Sequence, residues 1–327
     1  MTFLVTGAAG FIGFHCARAL LHQGVEVVGM DNLNPYYSVD IKRGRLAELE
    51  ALPGFTFRHV DIADFDALRR SVEGRSIERV IHLAAQPGVR YSIANPHAFV
   101  ASNLTGFVNM LELCRHSDRF EHMIYASSSS VYGGNTKLPF SESDPVDNPI
   151  SLYAATKRAD ELMSHTYSHL YGMRLTGLRF FTVYGPWGRP DMAVWGFTEA
   201  ILAGRPIPVF NGGHLKRDFT FVDDIAAGVL AIAKGPIGDD GRKHRIYNIG
   251  NNRPEDLMQM IGLLEEALGR RAIKEYLPAQ PGDLTETCAD ITAIQTDYGY
   301  RPSTPISVGI PAFARWYMDH FGIAAAA

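Results

Sequence analysis

Phe3-Leu4-Val5-Thr6-Gly7-Ala8-Ala9-Gly10-Phe11-Ile12-Gly13 is an apolar run that breaks into glycines and resumes with helical spacing. A strand that turns sharply into a helix leaves backbone N–H groups pointing outward at the positive end of the helix dipole, a seat for a pyrophosphate. Glycine suits such a turn because a missing Cβ permits both the tight bend and the close approach of phosphates. The spacing is GxxGxxG, one residue away from the GxGxxG form, and glycine-rich turns are also common structural punctuation. A second signature supports the dinucleotide reading. Asp31 closes the next apolar run, Val25–Met30, close to where an acid about 20 residues past the glycines binds the ribose 2′-OH. A carboxylate there repels a 2′-phosphate, so the expected cofactor is NAD rather than NADP.

Working outward, apolar runs and helical patterns alternate. Strands are expected at Phe55–Val60, Arg79–Leu83, His122–Ala126 and Leu175–Phe180, and helices at Phe14–Gln23, Phe65–Val72, Phe99–His116 and Leu152–Leu170. This rhythm predicts an α/β fold, a doubly wound parallel sheet with helices on both faces. Past Thr182 the texture changes, with Pro186, Pro190, Pro206 and Pro208 close together among several glycines. The expectation there is a loop-rich, smaller lobe over the mouth of the sheet. Residues 1–180 would form the dinucleotide-binding domain and 181–327 the second lobe, with Ile246–Ile249 returning a strand so that 220–250 rejoins the first unit. The Ala324–Ala327 run is expected to fray.

The chain has 327 residues, enough for a sizeable core, and a formal charge of −4 with both signs spread along it. No basic run points to nucleic acid. Three cysteines, Cys16, Cys114 and Cys288, lie far apart without CxxC spacing, which suits reduced thiols in a cytoplasmic protein. The apolar start lacks a basic n-region and is not read as a signal peptide. No apolar stretch approaches the ~20 residues of a membrane span. His165 and His169 stand four apart, a spacing that can bind zinc, but no third ligand is evident and no metal is expected.

Tyr153-Ala154-Ala155-Thr156-Lys157 puts a phenol and an ammonium on one helix face. A free phenol titrates near ~10, too high for a base at neutral pH, but a neighbouring ammonium and a nicotinamide ring both favour the phenolate. Tyr153 can then take a proton from a substrate hydroxyl. The same spacing also arises by chance, with the tyrosine packed and the lysine solvated. Ser127-Ser128-Ser129-Ser130, directly after the fifth strand, favours the catalytic reading. Strand ends face the ligand crevice of a doubly wound sheet, and hydroxyls there can orient a substrate oxygen. Capping or turn formation is their other role.

With these motifs placed, the chain resembles the extended short-chain dehydrogenase/reductases that act on nucleotide sugars. The resemblance covers nearly the whole length. It rests on Gly7–Gly13, Asp31-Asn32, His82-Leu83-Ala84-Ala85, Ser127–Ser130 with Val131-Tyr132-Gly133, and Tyr153-x-x-x-Lys157. Within the family, the members that epimerise UDP-glucuronate at C4 are the most similar. The segments that point there are Asn34-Pro35-Tyr36-Tyr37, Arg179 through Ala193, Lys216-Arg217-Asp218-Phe219-Thr220 and Gln280-Pro281-Gly282-Asp283. Two departures are Pro35, where relatives often carry Asp, and Trp195, in a usually simpler helix.

The resemblance implies the following roles. NAD is borrowed and restored at C4 of a UDP-sugar, with Tyr153, Lys157 and Ser128 catalytic. The cofactor is held by Gly7, Gly10, Phe11, Ile12, Gly13, Asp31, Asn32, Asp61, Ile62, Leu83, Ala84, Ala85, Asn103 and Phe180, beside Tyr153 and Lys157. Ser127, Ser128, Ser129, Thr182 and Arg189 face the sugar, with Ser127, Ser128 and Thr182 as donors to a C5 carboxylate. Galactose-type epimerases typically carry asparagine at the place of Thr182. Arg189, in a Pro/Gly-rich loop, suits an anionic substrate; an exposed loop arginine is the alternative. Phe210 would pack on uracil, Arg217 bind the diphosphate and Asp283 lie near the uridine ribose, while Thr287 leaves room for a bulky C5 group. A surface ion pair with Asp218 is the plain alternative for Arg217. Gln280 stands where some relatives have arginine. The resemblance also implies a homodimer through helices near 99–116 and 152–170. A decarboxylase or 4,6-dehydratase on the same scaffold usually places an acid just before Val-Tyr-Gly, where this chain has Ser129 and Ser130. A non-catalytic NAD sensor would tend to lose the Tyr/Lys pair.

Overall fold

Alternation within each buried strand builds two cores. Phe3, Val5, Val27 and Ile124 point to one face of the central sheet, while Leu4, Val28, Met30 and Met123 point to the other. Both faces are covered, as an all-parallel sheet requires. The computed structural model describes residues 1–235, 243–279 and 284–324. The sheet strands are β1 (Thr2–Thr6), β2 (Glu26–Asp31), β3 (Phe55–His59), β4 (Arg79–His82), β5 (His122–Ser128) and β6 (Leu175–Phe180). Three short strands follow, β7 (Thr182–Tyr184), β8 (Ile207–Phe210) and β9 (Lys216–Phe221), and then β10 (His244–Ile249), β11 (Pro254–Asp256) and β12 (Lys274–Leu277).

The seven-stranded sheet runs β10-β6-β5-β4-β1-β2-β3, and all of its pairings are parallel. Its order reverses between β1 and β4. In open α/β sheets the ligand crevice lies at that reversal, beyond the carboxyl ends of the strands. The six strands expected before Thr182 are present within two residues of their expected ends, and Ile246–Ile249 is the later part of β10, which returns to the sheet beside β6.

The expected helix Phe99–His116 is not uniform. Pro96–Phe99 and Gly106–Arg115 are α-helical, but Val100–Thr105 between them is a π-helical turn. The widened turn carries the buried Asn103, whose Nδ2 donates to Gln86 O at 3.2 Å and to Thr156 Oγ1 at 3.0 Å. Such bulges re-aim side chains at functional sites.

The region past Thr182 is more regular than its prolines and glycines suggest. It holds β7, the helix Ala193–Leu202 and β8. Pro208 fits β8 because that strand belongs to a two-stranded sheet with β12 and has no second neighbour to miss its N–H. β7, β9 and β11 form a three-stranded sheet. Trp195 is buried between Trp316 and Tyr317 of the helix Ile306–Phe321, at ring separations of 5.6 and 5.2 Å. Its departure from a simpler helix is therefore a packing feature. The helix Val222–Lys234 packs on the helix Phe11–Leu21, which joins this part of the chain to the first.

Candidate active site

Gly7, Gly10, Phe11, Ile12 and Gly13 line a cavity at the sheet reversal. Gly7 has φ +71°, and a Cβ on it would come within 2.8 Å of Ala84 N. A Cβ on Gly10 would stand 2.9 Å from Gly7 O, and one on Gly13 would overlap that same carbonyl. The turn is closed by the Gly10 N–H donating to Gly7 O at 2.8 Å. No side chain caps the helix Phe11–Leu21, so its first N–H groups remain for a ligand in the cavity.

Asp31 is buried at the end of β2. Its Oδ2 accepts from Ala9 N at 3.2 Å and its Oδ1 from Leu33 N at 2.8 Å, with Lys42 Nζ at 3.9 Å. Each carboxylate oxygen keeps a lone pair for a further donor. Asn32, Ile62, Leu83, Ala84, Ala85 and Phe180 also line the cavity. Asp61 and Asn103 do not. Asp61 holds Asn32 in place by accepting from its Nδ2 at 3.1 Å. Asn103 spends its amide on Gln86 and Thr156, with its Oδ1 accepting from Gln86 N at 2.7 Å. Ser102, one residue earlier, is the one that faces the cavity.

At the other end of the same cavity stand Ser127, Ser128, Tyr153, Lys157 and Arg189. The helix Leu152–Tyr171 carries the tyrosine and lysine, and its start is capped by Ser151 Oγ accepting from Ala154 N. The Tyr153 ring stands edge-on to Phe99 at 6.1 Å, and its hydroxyl makes no hydrogen bond among the described residues. Lys157 is buried and donates to Ala126 O at 2.9 Å and Asp160 Oδ2 at 3.1 Å, leaving one of its three protons. Burial pushes the Asp160 carboxyl up to about 7, against the pull of Lys157.

The two serines differ in what they can offer. Ser128 Oγ accepts from Ser130 N at 3.1 Å and keeps its own proton. Ser127 gives its proton to Glu161 Oε1 at 2.7 Å. That corrects the expectation of Ser127 as a carboxylate donor: with its one O–H spent, it faces the cavity as an acceptor. Glu161 is gripped by Arg179, whose Nε and Nη2 donate at 2.8 and 3.0 Å. Burial raises the Glu161 carboxyl, but the hydrogen bonds from Arg179, Ser127 and Arg158 outweigh it and hold it below the usual carboxylate range.

The remaining expected residues lie outside the cavity lining. Ser129 opens the 3-10 turn after β5, and Thr182 is half-buried at the start of β7. Phe210 ends β8, with the Arg90 guanidinium 5.8 Å from its ring centre. Arg217 Nη1 donates to Lys216 O at 2.9 Å and to Thr285 O at 3.3 Å. The surface ion pair with Asp218 does not form. Asp218 turns inward and accepts from the N–H groups of Asn251, Asn252 and Ala289 and from Thr220 Oγ1. Thr287 Oγ1 accepts from Asp218 N at 3.2 Å. Gln280 and Asp283 lie outside the described residues.

The sequence profile of the NAD dependent epimerase/dehydratase family matches residues 3–250. The chain belongs to that family. It is 52% identical, over 99% of its own length and 100% of the relative's, to an uncharacterised 37.6 kDa protein of Escherichia coli O111:H-. It is 47% identical to UDP-glucuronate 4-epimerase 4 of Arabidopsis thaliana, over 98% of this chain and 76% of that one. The crystal structure of UDP-glucuronic acid 4-epimerase from Bacillus cereus in complex with UDP-glucuronic acid and NAD superposes with a TM-score of 0.88 at 34% identity. That match covers 98% of this chain and 100% of the other.

The cradle of this NAD dependent epimerase/dehydratase fits its cofactor. The uncapped helix start and the Cβ-free turn leave room and donors that would suit a pyrophosphate, and Asp31 keeps acceptor sites that would suit a ribose. Several contributors escaped the sequence reading. Lys42 lines the cavity and lies 4.9 Å over the Tyr37 ring. Arg45, fully buried, donates to Ala9 O, Tyr37 Oη, Trp187 O and Gly188 O, tying the glycine turn to the loop that carries Arg189. Both sit on the helix Val39–Glu50. Their signal was a cation pair at i and i+3 in a stretch with too few apolar residues to register as an amphipathic helix. Among the described residues no cluster of His, Cys, Asp or Glu is gathered for a metal, and no helix is long and apolar enough to cross a membrane.

Proposed function

We propose that the chain is a UDP-glucuronate 4-epimerase, converting UDP-glucuronate to UDP-galacturonate through a 4-keto intermediate. The observation that carries this reading is that Arg189 and Tyr153 line the same cavity. A base acting at C4 then shares its cavity with a guanidinium that can meet the C5 substituent of the sugar. A carboxylate is the C5 substituent that such a group selects.

Bound NAD supplies the acceptor, and then the donor, for the hydrogen at C4. Tyr153 takes the proton of the 4-OH and, once the 4-keto sugar has turned over and C4 has regained its hydrogen on the other face, returns it to the 4-oxygen. Ser128, with its proton free, bridges Tyr153 and the sugar oxygen. The remaining Lys157 N–H would donate a hydrogen bond to the nicotinamide ribose, while its ammonium keeps a positive charge beside the phenol. Ser127 accepts from a sugar hydroxyl. A 4-keto uronate is a β-keto acid, and it loses carbon dioxide when its carboxylate bond aligns with the carbonyl π system. Arg189 and Thr182 hold the carboxylate out of that alignment while the sugar turns over. Phe210, Arg217 and Asp283 take the UDP end.

In this reading, residues 1–180 with 220–250 hold the cofactor and the rest of 181–327 holds the nucleotide sugar. Two copies pair through the helices near 99–116 and 152–170, where Leu162 and Leu170 are 52% and 61% exposed and Tyr171 is exposed beside them. Cys16, Cys114 and Cys288 are buried free thiols, which suits the cytoplasm. Assaying UDP-glucuronate, UDP-glucose and UDP-N-acetylglucosamine side by side tests the reading. Turnover of UDP-glucuronate to UDP-galacturonate supports it. A UDP-pentose with carbon dioxide marks a decarboxylase instead, and no turnover by NAD-loaded protein overturns the reading.

A further inference from the structure

Arg189 has two usable edges, and one is taken. Its Nε donates to Asp191 Oδ1 at 3.0 Å and its Nη2 donates to Asp191 Oδ2, a side-on bidentate grip. Nη1 donates to no protein group among the described residues. Arg189 lines the cavity and Asp191 does not.

Asp191 is itself held. Tyr36 Oη donates to Asp191 Oδ2 at 3.0 Å from the loop after β2. The Tyr36 ring lies 4.7 Å from that of Tyr91, in the segment after β4. Gly88, at φ +105°, makes room for Tyr36: a Cβ there would stand 2.5 Å from the phenol oxygen. Loops following β2 and β7 thus meet at one carboxylate, and the segment after β4 packs against the Tyr36 ring that reaches it. Burial, with the Asp191 charge adding to it, pushes the Tyr36 phenol up to about 12, so it stays a donor.

We propose that Asp191, anchored by Tyr36, is a positioning residue that fixes the Arg189 guanidinium with its free Nη1 edge toward the sugar, and so determines specificity for a uronate over a neutral hexose. The inference rests on the reading of the chain as a UDP-glucuronate 4-epimerase. A free arginine side chain samples many rotamers, and clamping its far edge leaves a donor already aimed before substrate arrives. The Arg189–Asp191 pair is close to neutral as a unit. It therefore selects through the direction of its donors more than through bulk attraction, which a C6 hydroxyl cannot exploit as a carboxylate can. The same fixed edge bears on the 4-keto stage. If the carboxylate swings into line with the carbonyl, the bond from C5 to the carboxylate breaks. Its electron pair then enters the C4 carbonyl as an enolate, C5 takes a proton from water, and carbon dioxide leaves.

The test uses NAD-loaded protein in a Tyr153→Phe background, so that binding is read without turnover. Calorimetry with UDP-glucuronate and with UDP-glucose is run with and without Asp191→Asn, and again with Tyr36→Phe. Asp191→Asn is expected to weaken UDP-glucuronate on the order of tenfold, as for a lost charge-assisted contact, with UDP-glucose changed less than about twofold. Tyr36→Phe shifts the same ratio in the same direction by less. Asp191→Glu, which restores a carboxylate, recovers part of the preference. With Tyr153 intact, Asp191→Asn also releases a larger share of product as carbon dioxide and UDP-pentose. Equal weakening of both ligands, or no change in either, overturns the proposal. Failure of the unaltered chain to convert UDP-glucuronate overturns instead the functional reading beneath it.

Discussion

The Ser127 hydroxyl donates to Glu161 Oε1 at 2.7 Å, and this bond decides what each of two adjacent serines can do. Ser127 is left with acceptor capacity only, whereas Ser128 keeps its proton for a ligand. Ser127→Ala is therefore expected to raise KM several-fold with kcat near that of the unaltered chain, as for lost uniform binding. Ser128→Ala is expected to lower kcat by ~10²-fold, within the range of proton-transfer groups. Steady-state kinetics of the two variants checks the split, and indistinguishable profiles would count against it.

Glu161 also sets a stability expectation. It neutralises the buried Arg179, which in turn donates to Tyr132 Oη at 3.0 Å. Glu161→Gln leaves that guanidinium without its carboxylate and is expected to cost ~3–5 kcal/mol, the scale for breaking a buried pair. Denaturant unfolding measures it. A loss below about 1 kcal/mol would mean that the pair contributes little.

At the glycine turn the expectation is steric. Gly13→Ala drives a methyl group into Gly7 O, a backbone atom with no flexible side-chain end to swing aside. The variant is expected to fold but to purify without NAD, as read by mass spectrometry of the denatured supernatant. Full NAD occupancy would show that the turn does not carry the cofactor.

His122 gives a pH dependence. Burial first, then Arg79 and Arg174, bring its imidazole down to about 4 from its ordinary 6.5. The unfolded chain thus binds a proton that the folded chain refuses as pH falls from 6.5 toward 4. The contribution is present above pH 6.5 and is lost across that window. His122→Gln is expected to show a shallower loss of Tm over the window than the unaltered chain, and parallel curves would contradict the assignment.

What the sequence disclosed follows from how locally each signal is written. The turn from β1 into its helix, the alternating strands and the Tyr153/Lys157 spacing are short-range patterns, and the structure brings them to one cavity. The helix Val39–Glu50 was illegible because Lys42 and Arg45 occupy buried positions that an apolar periodicity would need. The π-turn at Val100–Thr105 depends on Asn103 reaching Gln86 and Thr156, contacts far off in sequence. The partner of the Ser127 hydroxyl is hidden from a local reading for the same reason, since Glu161 lies 34 residues away. Asp191 stood in plain view two residues from Arg189, but its link to Tyr36 spans 155 positions.

In the proposed reaction the same hydrogen leaves C4 of UDP-glucuronate and returns to it. The most direct measurement is an incubation of the NAD-loaded protein with UDP-glucuronate in deuterated water, followed by NMR of the products. UDP-galacturonate with no deuterium at C4 and no release of carbon dioxide is the expected result. Deuterium at C4, or a UDP-pentose in place of UDP-galacturonate, would contradict it.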